Sequence, residues 1–186
     1  IGPNDKVLQQ CLLAGLLCND AQVHNDPDRI WVQGDPMEGA FIFSAGKAGL
    51  FDKEHAKKFP RLDGIPFESE FQYMATLHKG LEEQNNRIYV KGAVEKVLER
   101  CDRQLSGDGR QVELERMKVL SVVELMARQG LRILAFARKE PDLNRDIITH
   151  EDVAGGLTFL GLQMVVDPPR PEAVEAVKRC QSAGIQ

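Results

Sequence analysis

The sequence predicts an α/β (α+β) fold in which a mostly antiparallel, twisted sheet is flanked by helices. Segments with apolar residues at helical spacing alternate along the chain with short segments whose side chains alternate between two faces. Two of the strand-like segments are joined only by a polar loop, which is typical of antiparallel neighbours. The sequence has no Walker phosphate loop and no glycine-rich dinucleotide motif. These absences agree with a ligand site built from side chains on strands.

Composition narrows the function classes. The 186 residues carry a formal net charge of -4 with acids and bases interspersed, which argues against a nucleic-acid or anionic-membrane surface. The longest apolar run, residues 11–18, is shorter than the roughly 20 residues that span a bilayer, so we expect this piece to be soluble. The four cysteines form no CxxC pair and the four histidines are isolated, so we expect a reducing cytosolic setting and no metal site. The chain begins without methionine and stops after a helix-like run, and we expect a fragment of a longer protein.

The first elements are a helix and a short strand. Asn4 or Asp5 can cap a helix that ends near Asn19-Asp20. Its apolar residues recur at helical spacing, at Val7, Leu8, Cys11, Leu12, Gly15 and Leu16. After a polar loop, residues 29–33 are predicted to form a strand.

A second helix is predicted to start after Gly34. Asp35 is a suitable N-cap, Pro36 suits the first helical position, and Glu38 at N3 can complete a capping box. The Gly46-Lys47 pair further along is not part of a Walker motif, because Phe41 stands where the first glycine would be.

The middle of the chain predicts two antiparallel strands, one from about Gln72 to His78 and one from Arg87 to Lys91, joined by the polar loop 79–86. Phe67 lies ahead of the first strand and follows Pro66, which constrains the backbone. An isolated phenylalanine is most often a core residue.

Lys91 ends the second of these strands. Ile88 and Val90 point to one face of the strand and Lys91 points to the other. Gly92 allows a tight turn into a helix predicted from Ala93 to Cys101. A lysine beside a glycine at a helix N-terminus favours an anion. The alternative is a solvated lysine at a strand end.

The second half of the chain predicts two short strands joined by a turn, a long helix, two further strands and a last helix. These are the turn Ser106–Gly109 with a short strand on each side, the helix Val112–Arg128 ended by Gly130, the strand Leu131–Arg138, a polar loop with a short helix over Pro141–Asp152, the strand Gly156–Val166 and the helix Pro171–Ser182. On the strand Leu131–Arg138, Arg132 and Leu134 share one face. Asp167-Pro168-Pro169-Arg170 breaks the chain before the last helix.

Five short motifs follow one another over nearly the whole chain. They are Gly34-Asp35-Pro36-Met37-Glu38-Gly39-Ala40-Phe41, Ile65-Pro66-Phe67-Glu68-Ser69-Glu70-Phe71-Gln72-Tyr73-Met74, Lys91-Gly92-Ala93-Val94-Glu95, Gly130-Leu131-Arg132-Ile133-Leu134-Ala135 and Asp167-Pro168-Pro169-Arg170. Together they resemble the nucleotide-binding (N) domain of P-type (E1-E2) cation-transporting ATPases, and they are most similar to the calcium and sodium/potassium-type branch.

The resemblance implies an ATP site and a set of residues that form it. Glu38 would accept a hydrogen bond from the adenine amino group, a role that can coexist with capping, and Phe67 would stack on the adenine ring. Lys91 would line the pocket, Arg132 would contact phosphate oxygens, and Leu134 would form a pocket wall. The remaining implied nucleotide-binding residues are Gln72, Met74 and Gly92.

Two positions depart from the family pattern. Gln72 stands where many relatives carry a lysine, so the triphosphate would meet one cation fewer, although an amide can still hydrogen-bond. Val94 replaces the proline of the lysine-glycine-alanine-proline-glutamate signature, which removes some rigidity and no polar contact.

The resemblance also implies the wider context. Residues 1–166 would form the nucleotide-binding domain, and residues 167–186 would be a hinge (Asp167, Pro168, Pro169 and Arg170) and a stump of the phosphorylation domain. The partners would be an adenine nucleotide and the phosphorylation and actuator domains of the same polypeptide, with no nucleic acid, and the isolated domain would be a monomer. ATP would be the cofactor, with Mg²⁺ in the intact pump, and the chain would be a cytoplasmic domain of an integral membrane protein.

The sequence contains no aspartate-lysine-threonine-glycine-threonine motif, which carries the phosphorylated aspartate in the family. We therefore expect no catalytic residue here, and a fragment that holds ATP without hydrolysing it. The alternative is a degenerate domain that acts as a protein-interaction module.

Overall fold

The computed structural model of the chain describes residues 5–26, 29–50, 58–80, 86–141, 145–166 and 171–185. Within these ranges, a seven-stranded sheet is flanked by helices, and a separate two-stranded hairpin precedes the second helix. The predicted α/β fold with a mostly antiparallel sheet is confirmed.

The elements below are given in chain order. They are α1 (Lys6–Leu17), β1 (Gln22–Asp26), β2 (Arg29–Gln33), α2 (Pro36–Lys47), β3 (Arg61–Glu68), β4 (Tyr73–His78), β5 (Arg87–Gly92), α3 (Val94–Leu98), β6 (Cys101–Leu105), β7 (Gln111–Glu113), α4 (Arg116–Ala127), β8 (Arg132–Lys139), a 3₁₀ turn (Glu151–Val153), β9 (Leu157–Val165) and α5 (Pro171–Ser182).

The large sheet has the strand order β3-β4-β5-β8-β9-β6-β7, and the hairpin pairs β1 with β2. Every pair of neighbours in the large sheet is antiparallel except β6 and β9, which are parallel. The strands β4 and β5 lie towards one side of this order and pair residue for residue, with Met74 opposite Lys91 and Tyr73 opposite Gly92.

The sheet buries both of its faces. One face packs against α1 and α2, and its core includes Phe41, Met74, Tyr89 and Phe136, with the rings of Phe41 and Phe136 edge to face at 5.3 Å. The other face forms a second apolar core. Its residues include Ala75, Leu77, Ile88, Val90, Val97, Leu98 and Leu157. Because both faces are covered, β4 is buried along its whole length, and the polar residues that point towards α1 must find partners inside the protein.

Helix α1 lies close against β9. A Cβ atom at Gly161 would approach the Cys11 sulfur to 3.1 Å, so a larger residue there would push the helix outward. The Gln163 side chain donates a hydrogen bond to the Cys11 carbonyl at 2.9 Å. These contacts fix the position of the C-terminal half of α1, from which the candidate site is built.

The predicted starts of the first two helices are confirmed. Asp5 caps α1 by accepting a hydrogen bond from the Leu8 amide at 3.1 Å, and Asp35 caps α2 by accepting from the Met37 amide at 2.7 Å. Pro36 occupies the start of α2 as predicted. The bounds of β2 and α5 also agree with the sequence.

Two predicted helices have different starts or ends. The helix predicted over residues 93–101 ends at Leu98, because Cys101 begins β6 and pairs with Leu157. The helix predicted from Val112 starts at Arg116, because Val112 belongs to β7 and pairs with Gln104. Strands β1 and β3 were not predicted at all.

The hinge residues Asp167, Pro168, Pro169 and Arg170 lie outside the described residues. Beyond them, residues 172–185 of α5 and its C-terminal turn are exposed to solvent. Among the helices of the described ranges, none combines the length and the apolar character needed to cross a bilayer.

Candidate functional site

An ion pair between Lys91 and Glu38 forms the centre of the candidate site. The Lys91 ammonium group donates a hydrogen bond to Glu38 Oε1, and the two residues are 53 positions apart in the sequence. The side chain of Lys91 is 6% exposed and that of Glu38 is 16% exposed. The alternative of a solvated lysine at a strand end is therefore wrong, because a buried lysine of this kind needs a specific anionic partner.

The second oxygen of Glu38 is also bound. Glu38 Oε2 accepts a hydrogen bond from the Asp20 backbone amide at 3.2 Å, in the turn that follows α1. The carboxylate thus bridges β5 and this turn rather than the N-terminal amides of its own helix, so the predicted capping box is wrong. Its contacts with Asp20 and Lys91 join α1, α2 and the sheet.

The turn after α1 also binds the backbone of Glu38. The Asn19 side-chain amide donates to the Glu38 carbonyl at 2.9 Å and to the Gly15 carbonyl at 3.0 Å. Its oxygen accepts from the Ala21 amide at 2.8 Å. Asp20 next to it pairs with Arg61 of β3 at 2.5 Å. The start of α2 is therefore held by side-chain contacts on more than one side.

Phe67 lies at the same end of the sheet as Lys91. It falls between the register pairs Ile65–Ala75 and Glu68–Tyr73 of strands β3 and β4, where the register shifts. Its ring is 60% exposed, so the common expectation of a core phenylalanine does not hold here. A flat aromatic ligand can cover a large exposed ring of this kind.

Met74 lies on β4, between the strands of Phe67 and Lys91. It is opposite Lys91 in the register of β4 and β5, and it is 1% exposed. Its place in the apolar core on the α1 and α2 face puts it beneath the site, where it packs with Phe136.

Gln72 and Gly92 adjoin each other at the end of β4 and β5. The strand was predicted to begin at about Gln72, but it begins at Tyr73. Gln72 is instead the last residue of a tight turn, with a φ of 57° that few residues other than glycine adopt. Its carbonyl accepts a hydrogen bond from the Ala93 amide at 2.9 Å. A Cβ atom at Gly92 would lie 2.8 Å from Tyr73 Cα, so this glycine is required by close backbone approach rather than by a positive φ.

Leu134 and Arg132 lie on the neighbouring strand β8. Phe136 is opposite Lys91 in the register of β5 and β8, and Leu134 lies two residues from Phe136 on the same face of the sheet. Leu134 is partly buried in the core beneath α1 and α2. Arg132 is two residues further and exposed, at the start of β8. The predicted shared face is confirmed by the alternation of the strand.

The Cys18 thiol is a buried neighbour of the ion pair. Burial raises the pKa of Cys18, and the nearby Lys91 ammonium opposes that shift. The thiol is therefore neutral at physiological pH, and it donates a hydrogen bond to the Met74 carbonyl at 3.5 Å. Because the thiol is neutral, the anionic partner of Lys91 among the described contacts of this site is Glu38.

Two openings lie elsewhere among the described residues. A groove of about 400 Å³ runs between α4 and β9, with Val119, Val122, Leu162 and Met164 among its lining residues. A more polar cleft of about 510 Å³ includes Arg103 and Arg138. Neither contains a predicted site residue. In the described part of the chain, no group of three or more His, Cys, Asp or Glu side chains could hold a metal ion.

The structure thus brings Glu38, Lys91 and Met74 together and places Phe67 and Leu134 at the same end of the sheet. Sequence reasoning did not identify Asn19 and Asp20 as part of this site. Their residue types are common at the end of a helix, and only the folded chain shows that both touch Glu38.

Comparisons with known proteins agree on one family. A family model described as P-type ATPase, cytoplasmic domain N, matches residues 7–172. The chain is 52% identical over 180 residues to the cation-transporting ATPase pma1 of Synechocystis sp., covering 97% of this chain and 20% of that protein. It is 40% identical over 178 residues to the probable cation-transporting ATPase F of Mycobacterium bovis, covering 96% and 19%. It is 34% identical over 191 residues to a calcium-transporting ATPase of Bacillus subtilis, covering 97% and 20%. The chain spans about a fifth of the length of these curated relatives.

Proposed function

The chain belongs to the P-type ATPase cytoplasmic domain N family, and from this we propose that it binds ATP and holds it for phosphoryl transfer in a cation pump. The observation that carries the proposal is the buried ion pair of Lys91 and Glu38 at the end of the sheet where the ring of Phe67 is exposed. Burying a charge has a large desolvation cost, and exposing a large ring leaves apolar surface in water. The pairing of the two charges offsets the first cost. An adenine base that covers the ring would remove the second, and its polar edge could hydrogen-bond to the charged groups.

The base would be recognised by Glu38. A carboxylate is an acceptor with about four lone-pair sites, and the contacts with Lys91 and the Asp20 amide use two of them. The adenine amino group is a donor and can use a free site. Guanine carries a carbonyl oxygen at the corresponding position of the ring, and that oxygen would face the carboxylate unfavourably. The site should therefore prefer adenine.

Phe67 would supply stacking and Lys91 a positive charge. Stacking a base on an aromatic ring contributes about 1 to 3 kcal/mol. The Lys91 ammonium has three donors, and its bond to Glu38 uses one, so it can donate to the nucleotide without leaving its partner. Leu134 would form an apolar wall beside the base, Met74 would support the site from the core beneath it, and Gly92 would let the two strands stay close there.

The phosphate end would have fewer contacts. Arg132 is an exposed arginine on the face that Leu134 shares, where a guanidinium can bind phosphate oxygens through charge-assisted hydrogen bonds. Gln72 offers a neutral amide rather than a cation. Binding should therefore depend mainly on the base, and ADP should bind nearly as tightly as ATP.

In the intact protein, the nucleotide would be presented to an aspartate of a phosphorylation domain on the same polypeptide, with an actuator domain as a further partner. Residues 1–166 would form the nucleotide-binding unit, and residues 167–186 would lead through the hinge into the phosphorylation domain. The pump would lie in a membrane with this domain on the cytoplasmic side. The described residues offer no Mg²⁺ ligand set, so Mg²⁺ would be bound through the nucleotide and other domains.

A titration of the isolated chain with ATP, ADP and GTP tests the proposal. Calorimetry or NMR should give a saturable site for ATP in the high micromolar to millimolar range, or roughly 4 to 5 kcal/mol, since one stacked base and few cations support no more. ADP should bind nearly as well and GTP more weakly. Equal affinities for ATP and GTP would contradict the role of Glu38. The lack of any saturable adenine-nucleotide site would favour a domain kept only for protein interaction.

A further inference from the structure

We propose that Asn19 is a positioning residue for base recognition, because it holds Glu38 in the orientation that lets its carboxylate distinguish adenine from guanine. This inference rests on the proposed nucleotide site. It assigns a part of the specificity to a residue that need not touch the nucleotide.

The Asn19 side chain joins three backbone groups. Asn19 donates to the carbonyls of Gly15 and Glu38 at 3.0 and 2.9 Å and accepts from the Ala21 amide at 2.8 Å. It therefore links the last turn of α1, the turn that follows, and the first turn of α2. An asparagine amide has two donor hydrogens, and both are used here.

The turn after α1 binds both the backbone and the side chain of Glu38. Asn19 binds the backbone carbonyl of Glu38, and the amide of the adjacent Asp20 binds its carboxylate Oε2 at 3.2 Å. Lys91 binds the other carboxylate oxygen. The two carboxylate contacts limit the rotations of the side chain, and the contact with Asn19 fixes the backbone from which it extends. The direction of the free lone pairs is therefore set before a ligand arrives.

Removing the Asn19 side chain would loosen Glu38 without moving it away from the site. The carboxylate would still be attracted to Lys91, so Glu38 would remain near the site. The start of α2 and the turn at Asp20 would no longer be tied together, and the carboxylate could meet a bound base at several angles. Pre-organised groups discriminate between ligands because the wrong ligand cannot be accommodated by a small movement. A variant in which Glu38 is held less firmly should therefore lose its preference for ATP over GTP more than its affinity for ATP.

If Asn19 had a purely structural role, its removal would lower stability without changing nucleotide selectivity. Asn86 is the control for a structural asparagine. Asn86 is a buried asparagine at the opposite end of β5, and its side-chain amide donates to the Arg145 carbonyl at 2.8 Å. Removing either amide should lower the unfolding temperature. Only the removal of Asn19 should change the ratio of the ATP and GTP dissociation constants.

The test measures this ratio by calorimetry at a temperature well below unfolding for the wild-type chain, Asn19→Ala, Asn86→Ala and Glu38→Ala. Glu38→Ala defines the ratio without a carboxylate. We expect Asn19→Ala to lower the preference for ATP by about threefold or more towards that limit, and Asn86→Ala to keep the wild-type ratio. If Asn19→Ala does not fold, Asn19→Ser, whose hydroxyl replaces one donor, is judged by the same ratio.

The possible failures can be told apart. A wild-type chain without saturable ATP binding, or without preference for ATP over GTP, overturns the proposed base recognition and this inference with it. A wild-type chain that prefers ATP, together with an Asn19 variant that keeps the full preference, overturns the role of Asn19 alone.

Discussion

Replacing Lys91 by methionine should destabilise the protein and weaken ATP binding at the same time. Methionine keeps most of the length of the lysine side chain, so the apolar packing around Met74 and Phe136 changes little. What is lost is the ammonium group that pairs with Glu38. The carboxylate would then remain in a largely buried position with the Asp20 amide as its described partner.

The expected loss of stability follows from this burial. Removing one partner of a buried ion pair costs about 3 to 5 kcal/mol. Because Glu38 is 16% exposed and keeps one hydrogen bond, we expect the lower end, about 3 kcal/mol. For a chain of this length that corresponds to a decrease of roughly 6 to 12 °C in Tm. A solvated lysine at a strand end would change the free energy of unfolding by less than ~0.5 kcal/mol.

Urea unfolding of Lys91→Met, Glu38→Gln and the double variant measures the pairing directly. The double variant should be less destabilised than the sum of the single variants, by roughly 2 kcal/mol, because it leaves no uncompensated charge. Lys118→Met is the matched control, since Lys118 pairs with Glu115 on the surface of α4 with 74% of its side chain exposed.

For ligand binding, the loss of a charge-assisted contact of about 1.5 to 3 kcal/mol should weaken ATP by roughly 10- to 150-fold. The reasoning is refuted if Lys91→Met unfolds like the Lys118 control and binds ATP with wild-type affinity. Additive single variants would show that the two charges do not interact in solution.

Three other changes test separate parts of the structure. Phe67→Ala should leave the free energy of unfolding within about 0.5 kcal/mol of wild type, because the ring is 60% exposed, and should weaken ATP by roughly tenfold through lost stacking, as titration calorimetry would show. Gly92→Ala should lower stability by about 1 to 3 kcal/mol in urea unfolding, since its Cβ would meet the backbone of Tyr73 at 2.8 Å, and unchanged stability would contradict that close approach. Burial lowers the pKa of His78, although its hydrogen bond to the Phe59 carbonyl opposes the shift. Above the ordinary histidine pKa of about 6.5, His78 is neutral in both the folded and the unfolded chain, and the free energy of unfolding is at its full value. As the pH falls below this value, the unfolded chain binds a proton that the folded chain does not yet bind, so the free energy of unfolding decreases. Unfolding measured from pH 7.5 to 5.5 should show this slope, and His78→Gln should remove part of it.

The elements that the sequence identified correctly are those with local signals. Asp35 and Pro36 fix the start of α2 through contacts within one turn, and β4 and β5 have strand-forming residues on both sides of a polar loop. The missed strand β1 has the polar sequence Gln-Val-His-Asn-Asp and depends on its partner β2, where the rings of His24 and Trp31 stack at 4.2 Å. Such pairing energy is invisible to a pattern within a single strand.

The errors at element ends have the same origin. Cys101 fits the helical spacing of α3 but pairs with Leu157, and Val112 fits the spacing of α4 but pairs with Gln104. Sheet pairing with residues distant in sequence, or across a turn, outweighed helix propensity in both cases.

For the candidate site, the sequence could name Glu38 and Lys91 from motifs. It could not show that the two bind each other, because their contact joins a helix to a strand 53 residues away. The role of the turn at Asn19 and Asp20 was missed for the same reason.

The position of β9 has a consequence for synthesis on the ribosome. This last strand lies between β8 and β6, so the β6–β7 hairpin joins the rest of the sheet only through it. Until residues 157–165 emerge, β6 and β8 each keep one unpaired edge, and α1 lacks the strand against which it packs. At a translation rate of about 5 to 20 residues per second, the nascent chain exposes these edges for several seconds after β6 has been made. Unpaired edges can associate with other chains. The domain should therefore remain most prone to aggregation, and most dependent on chaperones, during the synthesis of its second half.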